Sequence, residues 1–102
     1  MTYRLAISPG ALAEIDSFYL HLKTEFPHMA DEWFYDLEEA IGSLSEMPER
    51  CGRPFESVVF DADLRQLLYG DAPHQYRILF TIEGGDVRIH HVRYVRQRPL
   101  SE

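Results

Sequence analysis

The sequence predicts an α+β fold in which a two-helix hairpin packs on one face of an antiparallel sheet of about four strands. Helical hydrophobic periods occupy the first half of the chain, and alternating strand periods occupy the second half. The length of 102 residues suits one modest core, and a hydrophobic content of 45% is ordinary for a globular protein. We therefore expect a single domain over residues 1–102.

The chain is predicted to begin with a strand and a capped helix. Thr2–Ser8 alternates apolar and polar side chains, as a strand does. Ser8-Pro9 then marks a helix start, because serine caps free amides of the first turn and proline suits the first helical position. The apolar face of this first helix consists of Leu12, Ile15, Tyr19 and Leu22.

A second helix is predicted after Pro27, from about His28 to Met47, and Pro48 ends it. Its apolar residues are assigned to the core rather than to a cofactor site, and its acidic residues are interpreted as a solvated face. The apolar set is Trp33, Phe34, Leu37, Ala40, Ile41 and Leu44, and the acidic set is Asp31, Glu32, Asp36, Glu38 and Glu39.

The second half of the chain is predicted to supply the other strands. Phe55–Phe60 is interpreted as a short strand or a buried loop segment, and Leu64–Tyr69 as a strand. Tyr76–Ile82 and Val87–Val95 alternate on either side of Gly84-Gly85, which predicts a hairpin with a tight turn at the glycines.

The hairpin register predicts two chemically different faces of the sheet. If the glycines form the turn, Phe80 faces Ile89 and Ile78 faces His91, which makes His91 a core histidine on an apolar face. The other face should be partly open, since the helices cover only one side. It would carry Arg77, Arg88, His90, Tyr94 and Arg96, joined by Arg65 if its strand lies beside Tyr76–Ile82.

The net charge of −7 is unevenly distributed along the chain. Residues 1–49 contain ten acids against Arg4 and Lys23, whereas residues 50–102 contain seven acids against eight arginines. Non-specific affinity for nucleic acids comes from neutralising phosphates, so an acidic chain is a poor binder of this kind. We expect no sequence-specific DNA binding by this chain alone, and any phosphate site would have to be local.

Several other classes of site are not supported. Adjacent strand residues point to opposite faces, so His90 and His91 predict no metal site, and no cofactor is expected because phosphate-binding glycine loops are absent. Cys51, the single cysteine, is interpreted as a passive surface thiol. No apolar run approaches the roughly 18 residues that span a bilayer. The N-terminus lacks the apolar segment of a secretory signal, so a cytoplasmic protein is expected.

The arginines of the second face are the candidate functional residues. Clustered with a histidine and a phenol, they could bind a phosphodiester and stabilise its transition state while the ring or hydroxyl moves a proton. The alternative is that they pair with the protein's own seventeen carboxylates or with an acidic partner.

An ordered set of motifs covers nearly the whole chain. They are A-x-x-E-I-D (Ala11–Asp16), A-x-x-W-F-x-x-L-x-x-A-I-x-x-L (Ala30–Leu44), L-R-x-L (Leu64–Leu67), Y-R-I-L-F (Tyr76–Phe80) and V-R-I-x-H-V-R-Y-x-R (Val87–Arg96). In this order they resemble the RelE/ParE superfamily of toxins from bacterial type II toxin–antitoxin systems. The resemblance implies a compact α+β toxin that an antitoxin neutralises by wrapping a segment around its surface.

The superfamily has two activities, and RelE-like members cleave mRNA in the ribosomal A site. For that activity the resemblance implies that Arg65, Arg77 and Arg96 match basic positions that bind phosphate. His90 or Tyr94 would then serve as the acid or base.

The chain departs from the RelE-like pattern in three ways. Leu67 stands where many ribonuclease members have a second basic residue, their C-terminal catalytic tyrosine is missing, and the net charge is acidic. These departures favour the ParE-like branch, whose members poison DNA gyrase.

The leading hypothesis is a growth-inhibiting, ParE-like toxin of the kind associated with plasmid stabilisation. It would inhibit gyrase by protein–protein contact and would bind a cognate antitoxin. The alternatives are a ribosome-dependent mRNA endonuclease and a non-toxic module that only binds antitoxin. The residues assigned to partner contact are Arg88, Arg93, Arg96 and Arg98.

Overall fold

The computed structural model describes residues 2–70, 75–98 and 100. Its helices and strands are β1 (Arg4–Ile7), α1 (Pro9–Glu25), α2 (Pro27–Gly42), α3 (Glu56–Val59), β2 (Arg65–Tyr69), β3 (Tyr76–Glu83) and β4 (Asp86–Tyr94). Short 3-10 turns follow α2 at Ser43–Ser45 and Pro48–Arg50.

The strands form one four-stranded sheet in the order β1-β4-β3-β2. β2, β3 and β4 are antiparallel neighbours, whereas β1 pairs in parallel with β4, from Arg4 opposite Asp86 to Ile7 opposite Ile89. The predicted α+β class is confirmed, and the sheet is mixed rather than wholly antiparallel. The direction of β1 depends on its pairing with the last strand, which hydrophobic periodicity within either strand does not report.

α1 begins where the sequence predicts. Ser8 is its N-cap, Pro9 follows, and the Ala11 amide donates to Ser8 Oγ at 3.0 Å. The same hydroxyl donates to the His90 carbonyl at 3.1 Å, and the Ser8 amide donates to the Ile89 carbonyl at 2.9 Å. Ser8 therefore fixes the start of α1 to β4 as well as capping the helix.

The second helix is shorter than predicted. α2 ends at Gly42 rather than at Met47, and the 3-10 turn after it places Ser43 Oγ as a donor to the Ala40 carbonyl at 2.6 Å. Met47 has a φ of 48°, a left-handed conformation that an α-helix excludes. Leu44 is fully buried beyond the helix end, so the apolar period outlasts the helix itself.

Residues 55–60 form neither a strand nor a buried loop segment. Glu56–Val59 is a single helical turn, and Phe55 and Val58 are 64% and 80% exposed. The side chain that this segment turns inward is the charged Glu56. The apolar residues are exposed because the glutamate takes the position that faces the sheet.

The core lies between the helical hairpin and the sheet. Its helical side consists of Ala11, Ile15, Leu37 and Ile41, and its sheet side of Ile78, Phe80, Val87, Ile89 and Val92. Burial of a side chain of valine, leucine, isoleucine or phenylalanine stabilises a fold by about 1.5–3 kcal/mol. This layer is therefore the main source of stability in the domain.

A β-bulge divides the predicted hairpin register into two parts. Next to the turn, where Gly84 has a φ of 62°, Phe80 faces Ile89 as predicted. The register then shifts between Leu79 and Phe80, so that Leu79 faces His91. His90 is the extra residue of β4, and side chains beyond it lie on the face opposite to the predicted one.

The bulge corrects three placements. Val92, rather than His91, faces Ile78 and enters the core. His91 instead lies opposite Leu79 on the second face, so the prediction of a core histidine is wrong. Tyr94 lies opposite Tyr76 on the helix-covered face and not beside the arginines.

We expect Ser8→Ala to lower the free energy of unfolding by about 1–2 kcal/mol, because the helix loses its N-cap and the link to β4. Urea denaturation measures the change. Ser17→Ala is the matched control, since Ser17 is exposed within α1 and we expect a change within about 0.5 kcal/mol. Equal effects of the two substitutions would contradict the role of Ser8.

Candidate functional site

The second face of the sheet, expected to be partly open, is covered. The segment between α2 and β2 crosses it, so that Glu56 contacts Arg77, and Leu64 lines a cavity with His91. Leu79, on the same face, has no exposed surface. Arg77 and Arg93 of this face, which are 13% and 16% exposed, therefore lie under protein, whereas Arg88 near the turn is 55% exposed.

Arg77 is held by a buried carboxylate. Its Nη2 lies 2.5 Å and its Nη1 2.9 Å from the two oxygens of Glu56, which is fully buried, and the Arg77 side chain is only 13% exposed. Gln66 accepts a further hydrogen bond from Arg77 at 3.3 Å. The Leu100 amide donates to Glu56 at 3.1 Å. We call this group the Glu56–Arg77 clamp.

The electrostatics of the clamp explain why the glutamate is charged although buried. Hydrogen bonds from Arg77 lower the pKa of Glu56 from its usual 4.5 to about 2, against the opposing effect of burial. A bidentate pair of this kind is the geometry in which an arginine fork matches a carboxylate. Arg77 is thus committed to a structural contact.

Arg65 does not join Arg77. It lies on β2 opposite Phe80, on the other face of the sheet, so the expectation that it would share the face of Arg77 is wrong. Its Nη1 donates to the Glu49 carbonyl at 3.0 Å and to the Cys51 carbonyl at 2.8 Å. The side chain therefore holds the loop after α2 against the sheet.

Cys51 is buried in the core and is not a surface thiol. Burial raises the pKa of its thiol, in opposition to the nearby charges of Arg50 and Arg65. A raised pKa keeps the sulfur protonated and unreactive.

The two histidines lie on a cavity of about 330 Å³ on the second face. His90 Nε2 lies 2.8 Å from the hydroxyl oxygen of Thr81. The Thr81 hydroxyl donates to Glu83 at 2.8 Å. Burial lowers the pKa of His90. His91 Nδ1 lies 3.3 Å from the Glu14 carboxylate. Among the residues that the structure describes, no three histidine, cysteine or acidic side chains are placed to hold a metal ion.

The arginines assigned to partner contact occupy two ends of the hairpin. Arg88 lies near the turn, and its Nε is 3.3 Å from the Glu83 carboxylate. The strand between Arg88 and Tyr94 is about 20 Å long, so the two ends are far apart. At the far end, Arg93 is largely covered and donates to the Arg98 carbonyl at 2.7 Å.

Arg96 and Arg98 follow β4 and are exposed. Within residues 2–70, 75–98 and 100, neither side chain has an acidic partner within 4.0 Å. Within the described residues, these are therefore the two arginines of the predicted set that are exposed and have no acidic partner.

The structure does not bring the candidate catalytic residues together. Arg77 and His90 are on the second face, Tyr94 is on the helix face, and its ring packs 5.2 Å from that of Tyr76. Arg65 is tied to carbonyl groups and Arg96 lies in the turn after β4. No single position is flanked by all the predicted phosphate-binding and proton-transferring groups.

One surface feature is not predicted by the sequence. A groove of about 350 Å³ lies where the α1–α2 connection meets β2 and β3, and we call it the aromatic groove. Helical spacing on α2 assigned Trp33 to the core, but only the fold shows that Tyr69 and Tyr76 complete a recess around it. The lining residues are Leu22, Phe26, Met29, Glu32, Trp33, Asp36, Tyr69 and Tyr76.

Comparison with known proteins identifies the family. Residues 5–99 match the profile of the ParE toxin of the type II toxin–antitoxin system, parDE. Because the match extends over most of the chain, the protein belongs to the ParE toxin family within the RelE/ParE superfamily, as the motifs indicated. No curated protein is significantly similar in sequence.

A solved structure shares the fold. It belongs to the chromosomal ParDE toxin–antitoxin system from P. aeruginosa and superposes with a TM-score of 0.76 at 23% identity. The alignment covers 93% of this chain and 98% of the other. In the described part of the present chain, none of the helices has the length and hydrophobicity needed to cross a membrane.

We expect Arg77→Met to lower the free energy of unfolding by about 3–5 kcal/mol, because the Glu56 carboxylate stays buried without its partner. Thermal unfolding at neutral pH measures the loss. Arg88→Met removes an arginine from an exposed pair and should cost at most about 1 kcal/mol. Similar losses for the two variants would contradict the role of the clamp.

The clamp also predicts an acid dependence of stability. The pKa of Glu56 is lower in the folded state, about 2 against 4.5, so its contribution is present above about pH 4.5 and is lost as the pH falls toward 2. Denaturant titrations between pH 5 and 2 on the natural chain and on Glu56→Gln measure it. The two pH profiles should converge at the acid end, and parallel profiles would contradict the assignment.

Proposed function

We propose that this ParE-family protein is a toxin that inhibits DNA gyrase by protein–protein contact in the cytoplasm and is neutralised by a cognate antitoxin. The observation that carries the proposal is the Glu56–Arg77 clamp. Arg77, which the resemblance matches to the arginine of the Y-R motif, is 13% exposed and bonded to a buried carboxylate. A protein that acts by contact needs no free arginine there.

The dispersion of the other groups also disfavours ribonuclease chemistry. Cleavage of a phosphodiester requires a proton-transferring group within hydrogen-bond reach of the reacting oxygen, and cations at the developing charge. Here Tyr94 and Arg77 are on opposite faces, and His90 is engaged with Thr81. The enzyme interpretation would require Arg77 to leave the clamp.

The contact surface that we assign to the target is the end of the hairpin beyond β4. Arg96 and Arg98 provide exposed charge next to Val95, which is 39% exposed. Arginine is enriched among the residues that carry binding energy at protein interfaces. Arg88 lies at the other end of β4 and would contact the same partner only over a broad interface.

Two purified assays test the proposal. Gyrase supercoiling of relaxed plasmid should be inhibited by the natural chain, and mRNA on programmed ribosomes should stay intact at the same concentrations. Unimpaired supercoiling together with transcript cleavage would establish the endonuclease alternative. Growth without inhibition in cells, with antitoxin binding retained, would identify a non-toxic binding module.

We expect the double variant Arg96→Ala and Arg98→Ala to need about tenfold more protein for half-inhibition of supercoiling, because two contact charges of about 0.7 kcal/mol each are lost. The matched control is Arg4→Ala with Arg53→Ala, which removes the same charge from exposed pairs elsewhere. Both double variants should unfold as the natural chain does. Equal inhibition by the two would exclude the hairpin end as the contact.

A further inference from the structure

The floor of the aromatic groove is built from three rings supplied by different elements. Trp33 of α2 lies 5.4 Å from Tyr76 of β3 and 6.4 Å from Tyr69 of β2, and the two tyrosines are 6.1 Å apart, as ring centroids. The Tyr69 hydroxyl donates to the Trp33 carbonyl at 2.6 Å, which fixes the rings relative to each other. The rings therefore form a preorganised recess.

Two carboxylates stand beside this recess. Glu32 and Asp36 are one helical turn apart on α2, so they share a side of the helix with each other and with the groove. Within the described residues, neither carboxylate has an ion-pair or hydrogen-bond partner. Burial raises the pKa of Tyr69, and the charge of Asp36, the neighbouring Tyr76 and the charge of Glu32 raise it further.

We propose that the aromatic groove binds an arginine or lysine side chain carried on an amphipathic segment of the antitoxin. Aromatic faces attract cations through their quadrupole, and a combination of several rings with carboxylates is the arrangement that captures guanidinium or ammonium groups. The proposal rests on the function proposed above, because it takes the antitoxin as the source of the segment.

Charge complementarity favours a cationic occupant over an anionic or neutral one. The first 49 residues, which include both long helices, contain ten acids against two cations. Lys23, the one lysine of the chain, is already engaged by Asp31 at 3.5 Å. The groove therefore lies in the acidic half of the chain, and this excess of negative charge favours a cationic occupant.

The rim indicates a peptide segment rather than a free cation. Phe26 and Met29, at the connection between α1 and α2, are each 49% exposed and line the groove together with Leu22. The aliphatic stem of arginine or lysine packs along such apolar side chains while its charged group reaches the polar end. Apolar neighbours in the same segment would cover the rest of the rim.

Trp33 is the only tryptophan of the chain, so its fluorescence reports on the groove directly. The probe is the peptide acetyl-Leu-Arg-Ala-Leu-Arg-Leu-amide, and its control contains neutral citrulline in place of both arginines. We expect saturable changes in emission and binding of the arginine peptide that is about tenfold tighter, from cation–π and carboxylate contacts. Equal affinities, or emission that does not change, would overturn the proposal.

A pair of double variants isolates the carboxylates. Glu32→Gln with Asp36→Asn should weaken binding of the arginine peptide about tenfold without affecting the citrulline peptide. Glu38→Gln with Glu39→Gln removes the same charge from exposed positions of α2 outside the groove and should leave both affinities unchanged. Equal weakening by both double variants would reduce the effect to net charge and overturn the proposal.

Co-expression of the toxin and the antitoxin in cells distinguishes whether the antitoxin or the target carries the segment that binds the groove. The Glu32→Gln and Asp36→Asn variant should stay toxic but need about tenfold more of the cognate antitoxin for rescue of growth. Loss of toxicity with unchanged binding of the antitoxin would assign the groove to the target and overturn the proposal. Failure of the natural chain to inhibit gyrase would overturn the proposed function alone, since the peptide affinities are measured without gyrase.

Discussion

The Glu56–Arg77 clamp is the interaction on which the second half of the structure depends. It joins three parts of the chain that are distant in sequence: the short helix α3, the middle of β3 and the backbone at Leu100. A charge buried with no exposed surface is tolerated only when several hydrogen bonds compensate for lost water, and Glu56 receives them from Arg77 and Leu100. The clamp thereby holds α3 against the sheet and closes the second face.

This closure has a direct consequence for function. A sheet face that displayed Arg77 openly could receive a phosphodiester, but the same guanidinium bonded to Glu56 cannot do so without breaking a buried ion pair. The cations that stay available are displaced to the end of the hairpin, at Arg96 and Arg98. The exposed arginines of the predicted set therefore lie at the margin of the sheet, where we propose that the target protein is contacted.

The two exposed surfaces of interest have opposite charge and different character. The hairpin end is short, cationic and flanked by the partly exposed Val95. The aromatic groove is concave and lies in the acidic half of the chain, with Glu32 and Asp36 beside its rings. Because the two surfaces suit partners of opposite charge, one chain can present separate sites to a target and to an antitoxin, as our proposals require.

The β-bulge at His90 shows how far one residue can shift a site. The sequence of β4 places two polar residues, His90 and His91, between the apolar Ile89 and Val92, but this break in the alternation does not by itself show which residue stays unpaired. The tertiary contacts do, because Ser8 at the start of α1 bonds to the Ile89 and His90 backbone, and the Glu14 carboxylate accepts the Val92 amide at 3.1 Å. Beyond the end of β1, these contacts provide the hydrogen bonds to the edge of β4 that a neighbouring strand would otherwise make.

The α+β class, the capped start of α1, the strand at Leu64–Tyr69, the hairpin and the ordered motifs of the family could all be predicted from the sequence. The motifs rest on the resemblance to the family, and the other four follow from local chemistry: apolar period, a serine before a proline, glycines at a turn. Tertiary structure alone decided the parallel pairing of β1, the bulge, the burial of Glu56 with Arg77 and the assembly of the aromatic groove. Each of these depends on residues distant in the chain, and neither periodicity nor residue type indicates which distant side chains will meet.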